Sequence, residues 1–342
     1  MKLIVKMIAL TGLAAAMASC GENAAEKDFR ILVDEFADLK IKRYQVPGWD
    51  GLTIQQKEYV YHLAEAAKYG RDIIWMQNCK YNLPIRKALE NILENYKGDR
   101  TCEEFQQFET YAKRVFFSNG IHHHYAEDKF YPLCSEAYFA GLMSAVSAYD
   151  PELLYVIYNY DVYPQRKSTD KSGDIVAESA VNFYEGVTKA DVERFYADMV
   201  DPSDKTPVSY GLNSRVVKDK DGRIYEDVYK VGGLYGPALE KICAELEKAA
   251  AVAENDTQKE YIAELIEYYR TGDLKLWDTY NIKWVNDTLG TVDFVNGFVE
   301  DYNDPLGRKA TWEGLVNFKD VEASRRAELI SETHSGLRIT PR

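Results

Sequence analysis

Histidine is scarce in this 342-residue chain, and the five copies are His62, His122, His123, His124 and His334. None begins a His-Glu-x-x-His or His-Glu-x-x-x-His pattern, so the helix that presents two imidazoles and a carboxylate to a catalytic zinc is missing from the sequence. Also missing are a Gly-x-Ser-x-Gly elbow, a phosphate loop and a dinucleotide fingerprint, which removes the serine hydrolase, nucleotide triphosphatase and dehydrogenase readings. Cysteine occurs five times without a Cys-x-x-Cys pair, so a zinc ribbon or thioredoxin-type redox motif is unsupported. Positive charge is in deficit. With 42 Lys and Arg against 55 Asp and Glu the formal charge is −13, which disfavours nucleic acid and anionic lipid as partners.

What is present suits a folded protein with a large core, since 46% of residues are hydrophobic and 28% charged. Tyrosine, at 26 copies, is abundant. Amphipathic rings suit a wet cleft that grips extended chains, although half-buried helix and strand faces use them equally well. At the N-terminus Lys2 and Lys6 precede a small apolar run, Ile8 to Ala18, too short to span a bilayer. Met17-Ala18-Ser19-Cys20 then resembles a bacterial lipobox. The expectation is a signal peptide over residues 1–19, lipidation at Cys20, a tether over 20–28, and an exported cell-envelope protein held at a membrane by its lipid. Ordinary signal cleavage with Cys20 incidental is the alternative. Of the other cysteines, Cys79, Cys102, Cys134 and Cys243, four allow three disulfide pairings and the sequence selects none; buried free thiols are the simpler expectation.

Apolar spacing predicts an α+β chain, mostly helical, with a modest sheet. Phe29, Leu32, Val33, Phe36 and Leu39 fall on one helical face. Thr53 is placed to cap a helix through Tyr59, Leu63 and Ala66. Pro84 opens another over residues 85–96, and Thr101 with Glu104 reads as a capping box ahead of Phe105. Helices are also expected at 135–148, at 189–199 behind Thr188, at 237–253 and at 257–270, and residues 319–330 read as the start of another. Lys220-Asp221-Gly222 signals a hairpin between residues 215–217 and 224–225. Residues 291–299, β-branched and aromatic, read as a strand feeding a loop at Glu300.

That loop carries the most suggestive chemistry. Glu300 and Glu313 bracket a turn built on Asp304-Pro305 and Gly307. A peptide amino terminus is largely cationic near neutral pH, and two convergent carboxylates would hold it by charge-assisted hydrogen bonds. A clamp of that kind fixes which bond lies at a given distance from the amino end. Tyr302 adds a phenolic donor for a substrate carbonyl or a developing oxyanion. On residue types alone, the plainer reading is that Glu300 and Glu313 are solvated loop acids and Tyr302 is packing. His122-His123-His124 invites a metal reading, but alternation along an extended chain allows at most His122 and His124 to share an ion; a polar loop or pocket wall is the plainer expectation.

Two stretches resemble the dipeptidyl peptidase III family of zinc exopeptidases. One is Ser118-Asn119-Gly120, then His122-His123-His124-Tyr125 and Glu127-Asp128-Lys129-Phe130-Tyr131-Pro132, similar to the family's Asn-x-Gly…Gly-Asp-x-Lys-Phe-x-Pro. The triple histidine and Glu127 are departures. The other, stronger one is Gly297 to Gly314, similar to Glu-x-Tyr-x-Asp-Pro-x-Gly…Glu-Gly. The resemblance implies a two-lobed metallopeptidase around a cleft, of which residues 29–332 supply the lower, substrate-binding lobe with a small β-barrel-like sheet. It implies that Glu300 and Glu313 anchor the substrate's amino terminus and that Tyr302 lines the cleft. It also implies zinc in the intact family enzyme, held by a His-Glu-x-x-Gly-His helix this sequence does not contain, so that no catalytic or metal-binding residue is assigned in this chain. The partners implied are peptides with a free amino terminus.

Family members continue past Leu329-Ile330-Ser331-Glu332 with a helical segment resembling Asn-Ala-Gln-Trp-Phe-Glu. Residues 333–342 lack a helical pattern, and restoring one missing base lets the codons for that tail spell Ala-Gln-Trp-Phe-Glu. The expectation is a frameshifted tail on an N-terminal fragment, inactive as it stands; a divergent natural tail is the alternative. A non-catalytic lipoprotein that binds peptide, or one that stacks glycan on its aromatics, is the rival function.

Overall fold

The computed structural model describes residues 29–338. The expected signal peptide, Cys20 and the whole of the tether lie outside them, as do residues 339–342. The chain divides into two compact units, Met1–Trp49 and Asp50–Arg342.

In the first unit the chain forms an antiparallel hairpin, β1 (Leu32–Phe36) with β2 (Leu39–Lys42), where a helix was expected. Exposure alternates along both strands, with Leu32, Asp34, Phe36, Leu39 and Ile41 half-buried and the residues between them exposed. The apolar spacing at Phe29, Leu32, Val33, Phe36 and Leu39 fits a helix in projection. A two-residue turn at Ala37-Asp38, with Ala37 at φ 49°, instead closes a tight hairpin.

The second unit is helical around small sheets. Its helices are α1 (Ile54–Tyr69), α2 (Arg71–Asn78), α3 (Asn82–Asn95), α4 (Glu103–Phe117), α5 (Glu136–Ala145), α6 (Pro151–Tyr158), α7 (Lys189–Ala197), α8 (Gly236–Ala251), α9 (Asp256–Thr271), α10 (Leu274–Asn286) and α11 (Val321–Arg338). Strands β3 (Tyr184–Glu185), β4 (Ser214–Lys218) and β5 (Ile224–Val228) form one sheet in that order, and β6 (Val292–Glu300) pairs antiparallel with β7 (Thr311–Phe318). Among the described residues these sheets stay separate, so the barrel-like closure expected from the resemblance is not formed. No helix of the described residues is long and apolar enough to cross a membrane.

Several helix starts follow the expected chemistry. Thr53 and Gln56 form a capping box, and so do Thr188 and Asp191; each such cap is worth about 1 kcal/mol. Two do not. Cys102, not Thr101, precedes α4, because Thr101 turns back onto Asp99 and Glu104 is drawn 31 residues away to the Ser135 amide and hydroxyl. Pro84 sits third in α3 and not first; its missing N–H is still one the first turn leaves unpaired. Helix α11 runs on through residues 333–338, where no helical pattern was read. Cys79, Cys102, Cys134 and Cys243 are free thiols, three of them buried.

Short α2 joins two cores. Ile73 enters the cluster of α1, α8, α9 and the β6–β7 hairpin, whereas Trp75 enters the cluster of α3 to α6. Its last two residues, Gln77 and Asn78, therefore emerge at the seam between cores, beside the ends of α4 and β7.

Candidate functional site

The seam is a pocket of about 330 Å3 lined by both stretches that carried the family resemblance. Ser118, Asn119 and His124 come from the first, with Phe117 just before it at the end of α4; Glu300, Tyr302, Asn303, Thr311, Trp312 and Glu313 come from the second. Ile74, Asn78 and Arg166 complete it. The three expected site residues are thus brought to one place.

A bulge aims the carboxylates. Phe298 opposes Trp312 across the hairpin, but the next pair is Glu300 with Thr311, which leaves Val299 as an extra residue on β6. Unbroken alternation would put Glu300 on the side of Phe294, Asn296 and Phe298, all buried. The extra residue moves Glu300 to the side of Thr311 and Glu313, and the Thr311 hydroxyl ties the bulge by donating to the Glu300 carbonyl at 2.9 Å. Burial, and secondly the charge of Glu300, raise the Glu313 carboxyl above the usual carboxylate range. Two carboxylates that repel one another in a part-buried pocket are poised for a cation.

The turn between the strands is held by Asp304. Its carboxylate accepts from the Leu306 amide at 3.2 Å, the Arg308 and Lys309 amides at 2.8 Å each, and the Tyr184 hydroxyl at 2.8 Å. Gly307 takes φ 61°, the left-handed conformation the turn requires. The segment ends at Lys309, fully buried against the Tyr196 and Ser214 hydroxyls with Glu226 at 3.7 Å. Tyr302 stays largely exposed, and Lys167 donates to its carbonyl oxygen.

Gln77 supplies what a neighbouring strand would. Its buried side chain donates to the Ala310 carbonyl at 3.0 Å and accepts from the Trp312 amide at 2.8 Å. Gly70 makes room for the Trp312 indole, because a Cβ there would lie 1.9 Å from the ring.

The opposite wall explains the departures in the first stretch. Glu127, where the family pattern has Gly, adopts φ 68°. The left-handed backbone that favours glycine is kept, and the carboxylate makes a bidentate pair with Arg166 at 2.7 and 2.8 Å. Arg166 is thereby neutralised beside the pocket. Gly120, at φ 152°, has the Asn82 amide 2.2 Å from where a Cβ would stand. Lys129 is structural: its ammonium donates to the carbonyls of Val156, Asn159 and Val162 around the end of α6, and burial lowers it to about 8.

The three histidines part company. His122 is buried, donates from Nε2 to the Tyr163 carbonyl at 2.8 Å, and is pushed down to about 3 by burial. His123 stacks on His124 with ring centroids 4.5 Å apart, and His124 alone of the three lines the pocket. Among the described residues no group of three His, Cys, Asp or Glu could hold a metal ion. The residues here do not fit a catalytic zinc, and no step through one is assigned to them.

The model of peptidase family M49 matches residues 205–341, which include Glu300, Tyr302 and Glu313. The human protein named dipeptidyl peptidase 3 is 23% identical over 341 residues, and that of Dictyostelium discoideum 22% over 304. The chain is a relative of the dipeptidyl peptidase III peptidases. The human alignment covers 85% of this chain and 45% of that protein; the Dictyostelium one covers 80% and 42%. The chain therefore spans under half the length of these relatives. Among solved structures, dipeptidyl-peptidase III from Corallococcus sp. strain EGB superposes with a TM-score of 0.58 at 18% identity, covering 87% of this chain and 44% of that one. The Caldithrix abyssi structure gives 0.57 at 19%, covering 84% and 43%. At those identities the likeness is one of fold.

Sequence reasoning did not single out Asn78, Gln77 or Arg166. Nothing local marks the first two, which act through tertiary placement. Glu127 in a glycine position was the one visible sign that a cation had to be near.

Proposed function

We propose that this chain forms the substrate-holding wall of a dipeptidyl peptidase III-type exopeptidase that removes dipeptides from peptide amino termini. Glu300 and Glu313 take the terminal ammonium, so the peptide is bound by its first residue and the bond to be cut lies a fixed distance away. Tyr302, exposed at the mouth, offers its hydroxyl to a substrate carbonyl. When bound, zinc in this family would polarise the scissile carbonyl and activate water; its ligands would belong to residues outside this sequence. This chain's own part is binding and orientation, which in exopeptidases supplies both specificity and much of the entropic advantage. The exported, lipid-anchored setting expected from Cys20 belongs to the same proposal.

The observation that carries this reading is the bulge at Val299, which turns Glu300 onto the face of Glu313 inside the pocket. Titrating Glu300→Gln and Glu313→Gln variants with a free-amine tetrapeptide tests it. Each substitution should weaken binding by roughly tenfold, the loss of one charge-assisted contact. Unchanged affinity in both variants, or tighter binding of maltotetraose than of the peptide, would refute it.

A further inference from the structure

A second, larger pocket of about 430 Å3 shares no lining residue with the first. Its volume is in the range of small-ligand sites. Val176, Ala177, Ala180 and Val187 supply apolar surface, and Lys80 and Asn182 supply polar groups. Asn182 is 8% exposed, and its side-chain amide has no hydrogen-bond partner among the described residues. The unpartnered amide atoms of Asn78 and Asn82 are sealed from solvent; those of Asn182 are not. Its backbone is anchored, because the main-chain amide donates to the Gln77 carbonyl at 2.8 Å. A primary amide both donates and accepts, as a peptide group does, and one left unpaired at a pocket wall calls for a ligand that does the same. Gln77 shows that pairing next door, where its side chain bonds the Ala310 carbonyl and the Trp312 amide. Lys80 carries the charge. It is exposed, its ammonium stands 5.3 Å from the Tyr81 ring, and no carboxylate pairs with it among the described residues. Glu185, the one acid in the lining, is held by Arg215 at 2.8 Å. The edge of β3 adds main-chain groups. The Val216 amide donates to the Phe183 carbonyl at 2.9 Å, so Tyr184, by alternation, turns its own amide and carbonyl away from β4, where no strand of the described residues pairs with them.

We propose that this pocket captures the carboxyl end of a short peptide, with the terminal carboxylate on Lys80 and the last peptide group on Asn182. One ammonium suits a singly charged carboxylate. A phosphate is best met by an Arg fork, and no arginine lines this pocket. The apolar surface of Val176, Ala177, Ala180 and Val187 takes small aliphatic side chains. The site does not depend on the clamp at Glu300 and Glu313, which takes the other end of a peptide.

The test is a calorimetric titration of the full chain with N-acetyl-dialanine, with its carboxamide and with inorganic phosphate. Acetylation removes the cation that Glu300 and Glu313 would hold, so the readout is separate from that pocket. A peptide amidated at its carboxyl end bypasses the present site, which keeps titrations of the amino end apart from it. Wild type should bind the free acid roughly tenfold more tightly than the carboxamide, the loss of one charge-assisted contact. Lys80→Gln should bring the acid down to the affinity of the carboxamide. Asn182→Ala should weaken both by roughly three- to fivefold and keep the preference for the acid. Lys80 is exposed, so Lys80→Gln decides the matter if the Asn182 variant fails to fold. Equal binding of acid and carboxamide by wild type, or a preference that survives Lys80→Gln, overturns the assignment. Phosphate binding as tight as that of the peptide acid also overturns it, since the pocket would then read charge alone, and so does the absence of binding.

Discussion

Glu300 and Glu313 share one face of the β6–β7 hairpin only because Val299 is out of register between Phe298 and Glu300. The same local irregularity that bends the strand also creates the acidic pair. Because Glu300 and burial both disfavour charge on Glu313, a bound ammonium must favour it.

That linkage gives a pH profile. A raised carboxyl holds its proton to higher pH in the free protein, and the cation drives the proton off on binding. Affinity for a free-amine peptide should therefore fall as pH drops through the raised range of Glu313. It should fall again above about pH 8, as the peptide's own amine deprotonates. Glu313→Gln should lose the acidic limb and keep the alkaline one. Titrations between pH 4 and pH 9, set about one unit apart to resolve each limb, would show it; an unaltered acidic limb in the variant would place the effect elsewhere.

Glu127 sets backbone strain against an ion pair. Replacing it by glycine relieves the left-handed backbone, worth about 1 kcal/mol. It also strands Arg166, 7% exposed at its side chain, without its bidentate partner. Breaking a buried pair costs about 3 to 5 kcal/mol, less here because Glu127 keeps some exposure. Glu127→Gly should therefore destabilise by about 1–3 kcal/mol in urea unfolding. A neutral or stabilising result would mean that the pair contributes nothing beyond the strain it offsets.

Gly70 should be intolerant of a methyl group. With the Trp312 ring 1.9 Å from an added Cβ, Gly70→Ala must push the indole that precedes Glu313 on β7. Overpacking of this kind costs about 1–3 kcal/mol. Peptide binding should weaken together with the thermal midpoint, whereas a lowered midpoint with intact binding would separate Trp312 from the placement of Glu313.

Lys309 makes stability depend on pH in the alkaline direction. Burial lowers its ammonium to about 7 against the opposing pull of Glu226. An unfolded lysine keeps its proton to about pH 10.4, so between about 7 and 10 the unfolded chain binds the extra proton and stability rises with pH. The gap in unfolding free energy between wild type and Lys309→Met should widen in favour of wild type from pH 7 to pH 9, by up to about 1.4 kcal/mol per unit. A constant gap would show that Lys309 stays charged throughout.

Much of this was legible in residues whose meaning is local. Thr53 and Thr188 capped the helices they were expected to cap, and Lys220-Asp221-Gly222 closed its hairpin with Gly222 at φ 82°. Thr101 and Glu104 had the spacing of a capping box, but Asp99 and Ser135 offered better partners. Phe29 to Leu39 satisfied a helical template and folded as a hairpin, since five apolar residues in so short a run fit either period. The acidic pair was visible as Glu300 and Glu313; the bulge that unites them was not, because no residue type marks Val299. Asn78 and Gln77 were silent for another reason. Their partners lie 41 and more than 230 residues away, and only the packing of α2 between two cores brings them there.

The clamp is the centre of this account, and acetylation tests it most directly. Wild-type protein should be titrated with a free-amine tetrapeptide and with the same peptide acetylated at its amino end. The account predicts binding at least roughly tenfold weaker for the acetylated form, since the cation that Glu300 and Glu313 hold is gone. Equal affinities would contradict it, and the two glutamates would then be no more than neighbours on a strand.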